Sequence, residues 1–449
     1  MMKHHLLPAF FLAATLSWPL CASALTVASW TGEAGSDLYS DAGNWSEKAV
    51  PGSADTAQFS LPGELSIKLK EDASVGKVRM QEAGNQIEPD ILTWHLNGKK
   101  LTLLAAAGEK VTEAPLTMTA SSQAARTMIF EGGTLQLESF WQSTYIGTFP
   151  TVMIFDKGAT LECSGMGYVG AYGNGEAYLL GGSKWVSNNG KGWACVLGHT
   201  EGANGLLEIC GAGSSFSAKT EEGTAPLDLR TFYVSSRGSG NLRILDGGSF
   251  ECDIVDMGDG TLGDGDFSLI VVDGTNSSFA TGRLNVGGGS TNALNPAQPS
   301  GNALFSVSNG AAAKVGDLKV LARETPAAAG RVRIDGGTLN LGSESVKTTA
   351  EFTANSVLEF RLRAIPKEAG IHSDAELMIK GARLEISLAP SFHAVAGDKI
   401  PLLSGQTVNG TFSKLPEGAE IQAPPYTFAI SYNLDGKGIV GLKVTKAVK

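Results

Sequence analysis

Within the stretch DIVDMGDGTLGDGD, Asp253, Asp256, Asp259, Asp264 and Asp266 stand close together with glycines between several of them. Carboxylates spaced in this way can wrap a hard cation in oxygen ligands, the arrangement that calcium loops use. The order is not D-x-[DN]-x-[DN]-G-x5-E. The stretch therefore reads first as a solvated acidic loop, with calcium held by Asp256, Asp259, Asp264 and Asp266 as the alternative. No other cofactor and no catalytic residue is expected.

The remaining side chains with chemical potential are dispersed. His95, His199, His372 and His393 follow no H-x-x-x-H spacing, and no C-x-x-C occurs, so zinc ligation is not indicated. Trp141, Trp185 and Trp193 would make a carbohydrate-binding platform if exposed and coplanar, since a ring face suits the apolar face of a pyranose; buried, they are packing residues. What decides among these readings is the set of elements that carries them.

Those elements repeat. Residues 127 to 341 contain eight copies of one pattern, clearest in LRILDGGSFEC from Leu242 to Cys252 and VRIDGGTLNL from Val332 to Leu341. Each copy alternates apolar and polar residues, meets one or two glycines, alternates again, and after a variable loop adds a short strand such as Tyr168-Val169-Gly170 or Val196-Leu197-Gly198. Period-2 alternation predicts strands and leaves no room for a helix. Glycine pairs return roughly every 23 to 36 residues, a spacing that belongs to stacked repeats. One unit cannot bury its apolar face alone, so units must stack, strand on equivalent strand. The expected product is an all-β parallel β-helix, with Ile129, Phe155, Leu180, Ile209, Ile244, Val272, Val307 and Ile334 stacked inward.

That register bears on the cysteines. Four of them, Cys163, Cys195, Cys210 and Cys252, ordinarily suggest two disulfides in an exported chain. In the repeat, however, Cys163 and Cys252 fall at one place three coils apart, about 14 Å at ~4.8 Å per coil, well beyond bridging distance. Four free and mostly buried thiols are expected.

The flanks complete the plan. Residues 1 to 24 have a basic start at Lys3, an apolar core from Leu6 to Leu20 and Ala22-Ser23-Ala24, the pattern of a secretory signal peptide. The whole chain carries a net charge of −10, and losing Lys3 makes it one unit more negative, which disfavours nucleic acid as a partner. Residues 25 to 60 hold Trp30, Trp45 and Pro51 and read as an N-terminal cap over the open end of the solenoid, with a sugar-stacking pair of tryptophans as the alternative. Coils are expected from 61 to 357. From 358 to 449 prolines break the pattern into short strands, read as further coils and a C-terminal cap, or else a separate β-sandwich.

The motifs W-T-G at Trp30, N-W at Asn44, V-P-G at Val50 and D-T-A-x-F at Asp55, with the later D-G-G-S-F, together resemble bacterial passenger-type β-helix proteins with autotransporter-associated or PEP-CTERM-associated repeats. The resemblance spans nearly the whole chain after the leader. It implies a right-handed parallel β-helix, exported to the extracellular space or cell surface, or held in the periplasm, with a structural or adhesin-like role and glycans or surface proteins as partners. Neither the alternating strands of a membrane barrel nor a Pro-Glu-Pro tail follows Val444. A polysaccharide-active enzyme is the competing class. Inverting hydrolysis needs an acid and a base flanking one water. The sequence offers no N-T-D or D-D, Gly198-His199 is followed by Thr200, and Arg243-Ile244 by Leu245, so a non-catalytic role is expected.

Overall fold

In the copy centred on Leu242, the strand Ser239–Leu245 buries Leu242 and Ile244 and turns Asn241, Arg243 and Leu245 outward. Asp246 and Gly247, both at positive φ, turn the corner. The strand Ser249–Met257 then buries Phe250 and Cys252 in its first half and Val255 and Met257 in its second. Each half pairs with a different strand of the preceding coil, Ser215–Ala218 and Arg230–Val234. A coil thus has three walls, and the short strands legible in the sequence form the third.

Stacked coils make the protein a parallel β-helix. The computed structural model describes residues 26–60, 63–81, 90–104, 114–119, 124–142, 149–187, 192–220, 229–258, 267–289, 298–299, 302–322, 329–342, 349–436 and 438–447. First strands from Glu64–Lys68 to Arg383–Leu388 form one sheet of twelve. Its inward ladder runs through Trp94, Phe130, Phe155, Leu179, Ile209, Ile244, Val272, Val307, Ile334 and Phe360, each in register with the next. Ile129 and Leu180 were expected on this ladder and are instead partly exposed, one residue out of phase. The cause is local. Met128, Ile129 and Phe130 are all apolar, as are Leu179 and Leu180, so alternation does not fix which face turns inward.

On the second wall Leu135, Leu161, Trp185, Phe216, Phe250 and Phe279 stack the same way. Phe250 lies parallel to Phe216 at 5.0 Å and to Phe279 at 5.2 Å. Cys163 and Cys252 share a ladder of this wall, three coils apart. The four cysteines among the described residues are free; Cys163, Cys195 and Cys252 are buried and Cys210 is partly exposed. Burial pushes the Cys163 and Cys252 thiols up to about 12, which makes them inert packing groups at neutral pH.

Two arginines lie inside the coil walls. Arg126 meets Asp90 on the adjacent rung at 3.3 Å, both side chains being nearly inaccessible. Arg230 reaches back to the Gly165 carbonyl at 3.1 Å and to the Ser187 hydroxyl.

Both ends are closed. At the first, Trp30 and Trp45 bridge as an antiparallel pair, pack edge to face at 5.1 Å and join Tyr39 and Phe59. Trp45 is fully buried and Trp30 nearly so, which removes both from any sugar-stacking surface. At the other end, Lys399–Thr411 still pairs in parallel with Ile371–Lys380, but antiparallel with Ile439–Ala447. Tyr426–Leu434 and Glu420–Ala423 continue that antiparallel sheet. Strand direction thus reverses within one sheet that is continuous with the coils.

Candidate functional site

The acidic run divides between wall and loop. Asp253, almost wholly buried, accepts the backbone N–H of Arg230 at 2.9 Å and that of Thr220. Asp256 is fully buried and accepts from the Asn285 amide, its neighbour on the next rung, at 2.6 Å. These two therefore belong to the strand Ser249–Met257. Asp259, Asp264 and Asp266 lie outside the described residues. Among the described residues no three histidine, cysteine, aspartate or glutamate side chains gather in a way that could hold a metal.

A second cluster forms on the outside of the third wall, apart from the core. Trp141, Tyr168, Val196 and Tyr233 occupy one outward register position on four successive coils. Trp141 stacks on Tyr168 with ring centroids 4.0 Å apart and lies nearly parallel to Tyr172, planes 17° apart, at 6.1 Å. His199 sets its edge against Tyr168 at 4.9 Å. Trp193, 39% exposed, packs against Tyr233 at 5.2 Å. Burial pulls the His199 imidazole below its ordinary value, with Arg237 adding to the effect, so it is neutral at pH 7. Of the three tryptophans singled out from the sequence, Trp141 and Trp193 stand on this outer wall, whereas Trp185 is buried in the core.

The placing of Tyr172 and His199 follows from two glycines. Gly170 and Gly198 close the third strands at positive φ, and a Cβ on either would lie 2.1 Å from a carbonyl oxygen of the coil above, Asn204 or Ser239. Only glycine permits so close a corner. The chain doubles back at once, and the Thr200 hydroxyl donates to the Ala171 carbonyl at 3.2 Å.

Past that corner the first wall presents polar groups. Asn204 donates to Asn174 at 2.8 Å on the neighbouring rung. Both line a shallow groove of about 260 Å³ together with Glu176, Leu206 and Asn241. Tyr178 donates its hydroxyl to Glu176 at 2.8 Å, while Arg243 sits 3.6 Å from Glu208. Burial and the two glutamates raise the phenol above its ordinary range, which keeps Tyr178 a neutral donor. Aromatic faces on one side of a corner and amide, carboxylate and hydroxyl groups on the other are complementary to a sugar, which has an apolar face and a rim of hydroxyls.

No protein-family model, curated protein or solved structure matches the chain.

Proposed function

We propose that the protein is an exported, non-catalytic β-helix that serves a structural or adhesin-like role at the cell surface or outside the cell, and that it contacts glycans through the corner at Trp141, Tyr172 and Trp193. The outward aromatic cluster carries this reading. Within it Tyr168 and Tyr233 are buried, so Trp141 and Tyr172, half-buried, and Trp193, 39% exposed, are the rings open to a partner, and apolar surface grouped in this way marks an interaction site. The leader pattern at 1 to 24, which lies outside the described residues, and the resemblance to passenger-type repeats support export. No helix among the described residues is long and apolar enough to cross a membrane. Calcium held by Asp256, Asp259, Asp264 and Asp266 remains part of the proposal; one Asp256 oxygen accepts from Asn285, and the other three residues lie outside the described ones.

Glu176 and Glu208 favour a second reading. They stand on adjacent first strands as outward carboxylates, diagonal to one another, which is where a polysaccharide-active enzyme would place an acid and a base. Tyr178 and Arg243 engage them, which supports binding over catalysis. A glycan array separates the readings. Retention of unmodified glycans by the wild type, reduced at least tenfold by W141A/W193A, fits a binding protein. Shortened or unsaturated products from the same glycans, lost in E176Q/E208Q, would replace it with the enzyme.

A further inference from the structure

At most corners the first strand passes into the second through a short turn; Gly336 and Gly337 alone separate Gly330–Asp335 from Thr338–Leu341. One coil later, residues 363–370 lie between Val357–Leu362 and Ile371–Lys380. The longer connection stands away from the shaft and opens a cleft of about 470 Å³ against the corner at Gly336. That volume lies within the range of small-molecule sites.

The lip is anchored at both ends. The Arg363 carbonyl accepts from Ser391 at 3.1 Å, the Gly370 carbonyl accepts from the Leu339 N–H at 2.9 Å, and Ala369 is buried between them. A cleft with fixed walls pays little ordering cost on binding.

Its chemistry is asymmetric. Ile334, Phe360 and Leu402 make the floor. On one wall Arg363 holds Asp335 with two bonds at 2.6 and 2.8 Å, so the Asp335 charge is already met. Arg361, its side chain 49% exposed, touches the same carboxylate only at 3.6 Å. Its charge and most of its donor fork are therefore left to face the cleft. On the other wall Asn340, His372 and Ser404 are in register, and His372 Nδ1 is bonded to the Ser404 hydroxyl at 2.8 Å. Glu368 lines the mouth, which disfavours a densely charged anion and leaves room for a single negative group on Arg361.

We propose that this cleft binds a carboxylate-bearing sugar, a uronate residue of an acidic polysaccharide. Arg361 takes the carboxylate as a bidentate fork, and Asn340 and His372 take ring hydroxyls. The site is separate from the aromatic corner and uses none of its residues.

Titration calorimetry of the full protein with oligogalacturonate and oligoglucuronate, against neutral oligosaccharides of equal length, tests this. In the W141A/W193A background, which removes the corner, the uronates bind, the neutral sugars bind at least tenfold more weakly, and adding R361A lowers uronate affinity at least tenfold with an unchanged melting temperature. N340A, a smaller change on the opposite wall, weakens uronates and neutral sugars alike. R333A, which breaks an ion pair with Glu359 at 3.0 Å and does not line the cleft, has no effect. W141A/W193A also leaves uronate binding intact, so failure of the corner and failure of the cleft are distinguishable. Absence of uronate binding by the folded W141A/W193A protein, neutral sugars binding it equally well, or full binding after R361A is added would each overturn the proposal.

Discussion

A methyl group added at Gly205 would meet the Val169 carbonyl oxygen at 2.3 Å and the Gly198 nitrogen at 2.4 Å. Both obstacles are backbone of the corner that positions His199, so neither can rotate away. Gly158, by contrast, has φ +74 and nothing within 4 Å of a built Cβ. Gly205→Ala is expected to cost about 3 kcal/mol, an overpacking penalty, and Gly158→Ala about 1–2 kcal/mol, the left-handed backbone penalty alone. Denaturant midpoints of the two variants check the difference. A second residue-scale expectation concerns Glu131, which the Lys157 ammonium at 2.7 Å, aided by His95 at 2.8 Å, holds below its ordinary value against the opposing effect of burial. A carboxylate depressed in the folded state stabilises above its unfolded value and loses that contribution as pH falls through the folded one. Below the ordinary value of 4.5, the wild type should therefore lose stability more steeply with falling pH than Glu131→Gln, measured as melting temperature against pH. Residues of this kind were only partly legible. Glycines recurring after each strand pointed to corners, but Arg126 and Arg230 gave no sign of lying inside, because a charged residue at the start of a strand looks the same whether it meets solvent or a buried carbonyl. Asp256 was hidden for a related reason: its partner Asn285 lies one coil away, and only the register brings them together.

Single strands matter here through their ladders. Phe250 is stacked on both sides by rings at 5.0 and 5.2 Å, and Phe232 meets its edge at 5.1 Å. Phe250→Ala removes the middle of that stack and should destabilise by about 3–5 kcal/mol, as large-to-small core changes do. A smaller loss in chemical denaturation would mean that neighbouring coils close the gap. The elements themselves were the most legible part of the sequence. The short strands at Tyr168 and Val196 fall where the repeat puts them. Phase was less secure wherever both faces of a strand are apolar, as at Ile129 and Leu180. The aromatic corner escaped notice as a unit because Trp141, Tyr172, His199 and Tyr233 come from four coils. A ladder with a variable loop in every rung leaves no fixed spacing for the eye to follow.

The whole molecule is a shaft whose first-wall sheet, twelve strands in parallel, spans about 53 Å at ~4.8 Å per strand. A stack of this kind is vulnerable at its ends, where unpaired strand edges template further pairing. Trp30 and Trp45 cover one end and the antiparallel strands after Lys399 the other. Removing residues 399 to 447 should leave Ile371–Lys380 as a bare edge and drive concentration-dependent association, seen by sedimentation, while the intact chain keeps a single species. Length and closed ends suit display along the sides, and the sides carry the corner at Trp141 and the cleft at Arg361. The most direct test of the central claim is a fluorescence titration of the folded protein with the glycans it retains on an array, repeated with Trp193→Ala, whose side chain is 39% exposed in the wild type. The account predicts a saturable change in tryptophan emission, and an affinity at least tenfold lower in the variant at unchanged melting temperature. Equal affinity in the two proteins would contradict it.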